Sequence, residues 1–241
     1  MNFYTYDNDN FFNLIEYFFI LIRFFDIFLS FVVILFLLPL FVLISLILIC
    51  SGENQIFFVQ PRIGKGKKIF GLLKFATMLK NSPNLPGGDI TAGNDPRVLP
   101  FGKFLRKTKI NELPQLWNIL KGDISFVGPR PLTPNTFEFY SIDIQKNLTS
   151  ICPGLTGVGS IVFRDEESLI NFSLKKPEIF YKEDIAPYKG TLETWFSDNI
   201  NINVYFKIIL LTVWVIIFPK SNLIYRVFPE LPSKPNNLKL E

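Results

Sequence analysis

The chain has 241 residues, 49% of them hydrophobic, with 27 Phe, 25 Lys+Arg against 21 Asp+Glu, 2 Cys and no His. That length suits one domain with appendages. The lack of His excludes an imidazole general base, Ser-His-Asp or Cys-His machinery and imidazole zinc ligands, and the distant Cys50 and Cys152 imply no disulfide framework.

The net charge of +4 is unevenly spread. Residues 60–131 hold 13 Lys/Arg and four acids, which leaves +9 in that stretch and −5 in the rest. A block so basic suits phosphates, nucleic acid or anionic lipid headgroups.

In chain order, residues 1–22 carry Asp7, Asp9, Glu16 and many aromatics, and read as an interfacial segment or a first helix. Residues 23–50 read as a membrane helix. Its stretch from Ile27 to Cys50 is 24 residues without a charge, and at ~1.5 Å per residue it reaches across a hydrocarbon core of ~30 Å. Pro39 in the middle is expected to kink or break it. The helix then either spans with a kink or turns at Leu38-Pro39 and leaves on the side it entered. Arg23 and Asp26, three residues apart, form a candidate interfacial pair. Lys65, Lys67 and Lys68 follow the run and favour a cytoplasmic body.

Next, Gln55–Gln60 and Ile69–Phe75 read as two strands of a hairpin, with Pro61–Lys68 as a cationic turn. Residues 81–94 read as a polar loop, and 101–108 as a short basic helix. In the stretch from Ile110 to Lys121, Ile110, Leu113, Leu116, Trp117 and Leu120 recur at helical spacing. Pro114 places the helix start near Asn111, a candidate N-cap, and a helix start suits phosphate. Glu112 among Arg106, Lys107 and Lys109 reads first as a salt-bridged acid, and second as a metal or catalytic carboxylate. Arg130, held between Pro129 and Pro131, presents a stiff guanidinium fork. Asp165-Glu166-Glu167 reads as a solvated acidic turn. Ile208–Phe218 reads as a buried or interfacial helix, and the Pro-punctuated end as a loose tail.

These blocks together resemble a known family, the bacterial sugar transferases, or polyprenyl-phosphate glycosyl-1-phosphate transferases, of the small monotopic type. The resemblance runs from about Arg23 to about Arg164. It is carried by Arg23-Phe-Phe-Asp26, the apolar run with Pro39, Gln60-Pro-Arg-Ile-Gly-Lys65, Lys74-Phe75 with Met78, and Asp95-Pro-Arg97. Further blocks are Gly102-Lys-Phe-Leu-Arg-Lys-Thr108, Glu112-Leu-Pro-Gln-Leu-Trp-Asn118, Leu120-Lys-Gly-Asp123, Val127-Gly-Pro-Arg-Pro131 and Pro153-Gly-Leu-Thr-Gly157.

The resemblance implies an α+β membrane-associated fold: a proline-broken re-entrant helix, a small hairpin and several short helices around a basic cleft. The implied division is 1–22, 23–50, a transferase core 51–164 and a helical extension 165–241. The implied reaction moves a sugar-1-phosphate from a nucleotide-diphosphate sugar to a polyprenyl phosphate, with Mg2+, at the cytoplasmic face of the bacterial inner membrane. The implied partners are those two substrates and membrane lipid, not nucleic acid, with a homo-oligomer left open. By position, Asn111 and Glu112 fall on the catalytic pair, with Glu112 also on the metal. Lys74, Arg106, Arg130, Pro131 and Arg164 fall on substrate-phosphate contacts.

Two positions depart from the family pattern. Asn111 stands where the nucleophilic Asp is usual, and Ala76 where an Arg is usual. A neutral amide is a poor nucleophile and a poor metal ligand. Three readings follow. The chain is a transferase in which either Glu112 is the nucleophile or the lipid phosphate attacks the donor directly while Glu112 holds Mg2+; or it binds the same ligands without turnover as an assembly or regulatory subunit; or it is a basic membrane-surface protein with another role.

Overall fold

The computed structural model describes residues 8–51, 53–85, 95–236 and 238, without the side chains of residues 8–16, 51 and 83. Residues 1–7 of the expected N-terminal segment and 86–94 of the expected polar loop lie outside the described residues.

One helix, α1, runs from Asn8 to Ser51. Its Tyr17–Cys50 portion is long and apolar enough to cross a membrane, and 22% of its most apolar stretch is buried against the body. Phe28, Phe31, Leu35, Phe36 and Leu43 face outward, a surface suited to hydrocarbon. The expected break at Pro39 is not there: one helix carries through it. A proline removes a single amide donor, while packing on both sides of it holds the helix to the same body. Ile34 packs with Leu72, Leu116 and Ile119, and Phe41, Ile44 and Leu48 pack with Phe75 and Leu105.

Strands β1 (Phe57–Ile63) and β2 (Ile69–Phe75) form an antiparallel hairpin with Phe58 opposite Lys74 and Arg62 opposite Phe70. β1 continues through Pro61 and Arg62, which were expected in the turn. In a two-stranded sheet every strand is an edge, where the missing proline donor is tolerated. Helix α2 (Pro100–Lys107) matches the expected basic helix. A 3-10 turn at Ile110–Glu112 leads into α3 (Gln115–Lys121), so the helix starts later than expected and Asn111 does not cap it. On α3 Ile119 is fully buried, while Trp117, expected on the packed face, is 51% exposed. α1 lies along the Leu116–Ile119 side of α3.

Strands β3 (Ser125–Val127) and β4 (Gly154–Thr156) pair in parallel. They come so close that a Cβ on Gly154 would stand 2.0 Å from the Gly128 nitrogen, so this position accepts only glycine. Short helices α4 (Pro134–Phe137) and α5 (Ile142–Ser150) lie between these strands. After β4 come α6 (Val158–Val162), α7 (Glu166–Phe172) and α8 (Pro177–Phe180), then a π-helical turn, Tyr181–Ile185. Helices α9 (Ala186–Asn199), α10 (Ile202–Ile217) and α11 (Leu223–Val227) complete the chain. Val158, Ile185, Leu192, Phe196 and Ile208 centre the largest core.

Arg23 and Asp26 both bind the body, and among the described residues they form no salt bridge with each other. Arg23 donates to the carbonyls of Ile119 (2.5 Å) and Leu120 (2.6 Å), where the last turn of α3 gathers partial negative charge. Asp26 accepts from the Phe126 amide (3.0 Å) and the Tyr205 hydroxyl (2.7 Å). The Pro-punctuated end is not loose over its described residues. Phe228, Leu231 and Leu238 are buried, and the Tyr188 hydroxyl donates to the Pro232 carbonyl at 2.8 Å.

Candidate active site

β2, the 3-10 turn and the turn after β3 each bring one group to a common point. Lys74 sits on β2, Glu112 closes the 3-10 turn, and Arg130 stands between two prolines. Arg130 clasps the Glu112 carboxylate with both terminal nitrogens, Nη2 to Oε1 at 2.7 Å and Nη1 to Oε2 at 3.4 Å. Glu112 is thus salt-bridged, to Arg130 and not to the neighbouring cations Arg106, Lys107 or Lys109.

Burial alone would raise the Glu112 carboxyl. The charges of Arg130 and Lys74 outweigh it and hold the group well below the ordinary carboxylate range. Burial, then the guanidinium of Arg62, push Lys74 well below its ordinary value. Arg62 is the hairpin's brace on the site. It donates to the Pro131 carbonyl at 3.0 Å, and the adjacent Ile63 amide bonds the Leu132 carbonyl at 2.9 Å. Pro131 itself is buried and acts here through its carbonyl.

Arg106 belongs to the same cluster, and its charge is felt at Lys74. Its guanidinium is held by Glu167 of α7 at 2.6 Å. Glu166 pairs with the buried Lys189 of α9. The acidic turn expected to be solvated is thus a pair of counter-ions to buried or half-buried cations. Among the described residues Arg164 makes no ion pair with Glu112, and its charged neighbour is Asp165.

Asn111 is buried, and its Oδ1 has no hydrogen-bond partner. Asn118, absent from the expected site, ties α3 to β2. It accepts from the Leu73 amide at 2.9 Å and donates to the Gly71 carbonyl at 2.8 Å, which sets the strand that carries Lys74. Lys189 and Glu193 of α9 were also missed, since they lie outside the motif blocks. The available signal was a Lys and a Glu one helical turn apart in an apolar, aromatic segment.

Among the described residues no three acids, Cys or His gather as a metal site. Among the described residues of this cluster, the groups that could hold a divalent ion are the Glu112 carboxylate and, next to it in sequence, the unpartnered Asn111 Oδ1. That set suits Mg2+ only where a diphosphate and water supply the other oxygens.

A half-buried carboxylate clasped by an arginine, ringed by three further cations and seated against a long apolar helix, is a setting whose charge suits phosphate groups. Comparison with known proteins makes this specific. The bacterial sugar transferase family model matches residues 17–219. The undecaprenyl-phosphate galactose phosphotransferase of Salmonella typhimurium is 36% identical over 158 residues, which is 60% of this chain and 33% of that protein. The exopolysaccharide production protein ExoY of Sinorhizobium fredii is 34% identical over 160 residues, 61% of this chain and 70% of that protein. The undecaprenyl-phosphate glucose phosphotransferase of Komagataeibacter xylinus is 39% identical over 114 residues, 47% of this chain and 21% of that protein. The chain belongs to the bacterial sugar transferase family. It spans a third or less of the length of several of its curated relatives.

Proposed function

We propose that the chain transfers a sugar-1-phosphate from a nucleotide-diphosphate sugar to a polyprenyl (undecaprenyl) phosphate at the cytoplasmic face of the inner membrane, and so begins the assembly of a glycan. The observation that carries this is the Glu112–Arg130 clasp with Lys74, Arg62 and Arg106 around it. The cluster adjoins the membrane-type helix: Lys74 precedes Phe75, whose ring packs on Phe41 of α1 at 5.5 Å. A lipid phosphate with its chain along α1 would bring its headgroup to Lys74. The relatives named for undecaprenyl-phosphate transfer support the same substrates.

In this reading an oxygen of the polyprenyl phosphate bonds to the β-phosphorus of the donor. The bond from that phosphorus to the bridging oxygen breaks, and the nucleoside monophosphate leaves. Asn111 has no nucleophilic oxygen, and the Glu112 carboxylate is engaged by Arg130. Both favour direct attack over a covalent enzyme intermediate. Arg130 and Lys74 meet the charge that spreads over the diphosphate as the bridge breaks. Glu112 fixes the Arg130 fork and would hold Mg2+ together with the donor. Bound there, Mg2+ would neutralise the diphosphate.

The test uses the full chain in detergent with polyprenyl phosphate, Mg2+ and a panel of nucleotide sugars. Release of nucleoside monophosphate that requires the lipid phosphate is expected. No release from any donor would overturn the proposal. Tight donor binding without release would instead support the second reading, a non-catalytic binding subunit, which the amide at position 111 favours.

A further inference from the structure

The corner between α3 and β3, residues 122–124, lies at the far end of the unit that carries the clasp. Glu112 stands just before α3, and Arg130 just after β3. The chain leaves Glu112, runs along α3, turns at the corner and returns through β3 to Arg130, whose guanidinium meets the Glu112 carboxylate at 2.7 Å. With seven residues in α3, the corner is ~10 Å from the clasp. Gly122 closes the helix at φ 93°, and the amides of Gly122 and Asp123 both bond the Asn118 carbonyl at 3.0 Å. The Asn118 side chain joins the same corner to β2 and so to Lys74: it accepts from the Leu73 amide and donates to the Gly71 carbonyl and, at 3.0 Å, to Asp123 Oδ2.

Two ionisable residues of α1 grip this corner. Arg23 donates to the carbonyls of Ile119 (2.5 Å) and Leu120 (2.6 Å) in the last turn of α3, and a Cβ on Gly122 would stand 3.3 Å from its Nη2. Asp26, one helical turn on, is 3% exposed, and its Oδ1 accepts from the Phe126 amide of β3 at 3.0 Å and from the Tyr205 hydroxyl at 2.7 Å. That hydroxyl lies 3.3 Å from Ser125 Oγ, also on β3. Arg23 thus holds the end of the helix, and Asp26 holds the strand that follows, both from one turn of one helix. Ionisable groups on an apolar helix are costly. Apolar packing of Ile34 with Ile119 and Ile124 already joins α1 to the corner. Such packing has no direction, whereas hydrogen bonds fix an angle.

We propose that Arg23 and Asp26 are positioning residues: together they fix the angle between α3 and β3, and so bring Glu112 and Arg130 into register at the other end for the phosphates of the donor. The proposal rests on the phosphate-handling reading above and deepens it. Neither residue touches substrate in this arrangement, and both act through the Glu112–Arg130 clasp.

The experiment measures the coupling between Glu112 and Arg130 by a double-variant cycle, Glu112→Gln with Arg130→Met, in denaturant unfolding of the full chain in detergent. The cycle is run in wild type, Arg23→Met, Asp26→Leu and Asp26→Asn. In wild type the two changes should be non-additive by about tenfold in the unfolding equilibrium constant. In Arg23→Met and in Asp26→Leu the coupling should fall below about threefold. Asp26→Asn keeps an oxygen for the Phe126 amide and the Tyr205 hydroxyl, and should return the coupling to its wild-type value. Residues that merely stabilise the fold would shift unfolding and leave the coupling unchanged, which would overturn the proposal. So would the absence of coupling in wild type, or a loss in Asp26→Asn as large as in Asp26→Leu. Should Arg23→Met or Asp26→Leu fail to fold, Arg23→Lys and Tyr205→Phe, which each remove one hydrogen bond, take their places with the coupling expected below about fivefold. Failure of these to fold would make the residues structural and overturn the proposal.

Calorimetric binding of inorganic pyrophosphate with Mg2+ is measured on the same proteins. It should weaken about fivefold in Arg23→Met and Asp26→Leu. Unchanged affinity in variants that have lost the coupling would overturn the proposal. Wild type that binds no pyrophosphate would overturn the phosphate-handling reading instead, while the coupling still decides whether α1 sets the clasp.

Discussion

Arg130 and Glu112, 18 residues apart in sequence, meet fork to carboxylate with a shorter contact of 2.7 Å. Each is the other's counter-ion in a half-buried place, and Arg130 is held protonated chiefly by the Glu112 charge. Glu112→Gln leaves the fork facing an amide beside Lys74. Nucleoside monophosphate release is expected to fall by about a hundredfold or more. Stability at neutral pH should fall by about 3 kcal/mol. The folded-state carboxyl lies below its ordinary value of 4.5. Its stabilisation is therefore complete above that value and lost as pH falls through and below it. Melting curves of wild type and variant should converge on acidification.

Glu193 has the opposite linkage. Burial pushes its carboxyl up from 4.5 to about 7. The folded state then holds a proton that the unfolded state has lost, so stability falls as pH rises from 4.5 to about 7 and levels off above that. Glu193→Gln should match wild type near pH 4.5 and exceed it in melting temperature at about pH 8, by a free energy on the order of 3 kcal/mol. Melting temperatures of the pair across this range check the sign.

Glu167 holds Arg106 at 2.6 Å, in a pair whose acid is 46% exposed. Glu167→Gln should change stability by less than about 1 kcal/mol. It frees a cation of the cluster, and KM for the donor should fall about threefold with kcat little changed. Steady-state kinetics at low and high salt test this, and the gain should shrink with salt.

Asn111 is buried with an unpaired Oδ1 and caps no helix. Asn111→Ala should therefore change stability by less than about 1 kcal/mol in chemical denaturation, and turnover should remain within about tenfold of wild type. A loss of activity as large as that of Glu112→Gln would show that the amide takes part in the reaction.

Phe228 is buried beside Trp195, with ring centroids 5.3 Å apart. Phe228→Ala should destabilise the protein by about 3–5 kcal/mol. Calorimetry or denaturant unfolding measures this directly, and a change near zero would mean that the end of the chain does not anchor α9.

The long apolar helix, the hairpin and the basic helix could all be read from residue order, whereas the cation that Glu112 pairs with could not. Each depends on local composition or on a period of two or 3.6 residues. The motif blocks likewise pointed to the family. Local signals allowed a kink or a break at Pro39, and the break does not occur, because one lost hydrogen bond is outweighed by side chains packed on either side of it. They misjudged Trp117, because the period marks an apolar stripe and not which edge of it α1 will cover.

Charge partners depend on distance in space. Glu167 reaches Arg106 across 61 residues, and Tyr205 reaches Asp26 across 179. No spacing rule links such pairs, and a run of three acids reads as solvated until the cations that face it are known. The residue types present already suited a partner of negative charge and an apolar surface for lipid, and excluded imidazole chemistry. Which carboxylate is clasped, which is a counter-ion and which is buried without a hydrogen-bond partner followed from folding. Coulomb energy and desolvation depend on where charges come to rest, and the chain carries that information only through its packing.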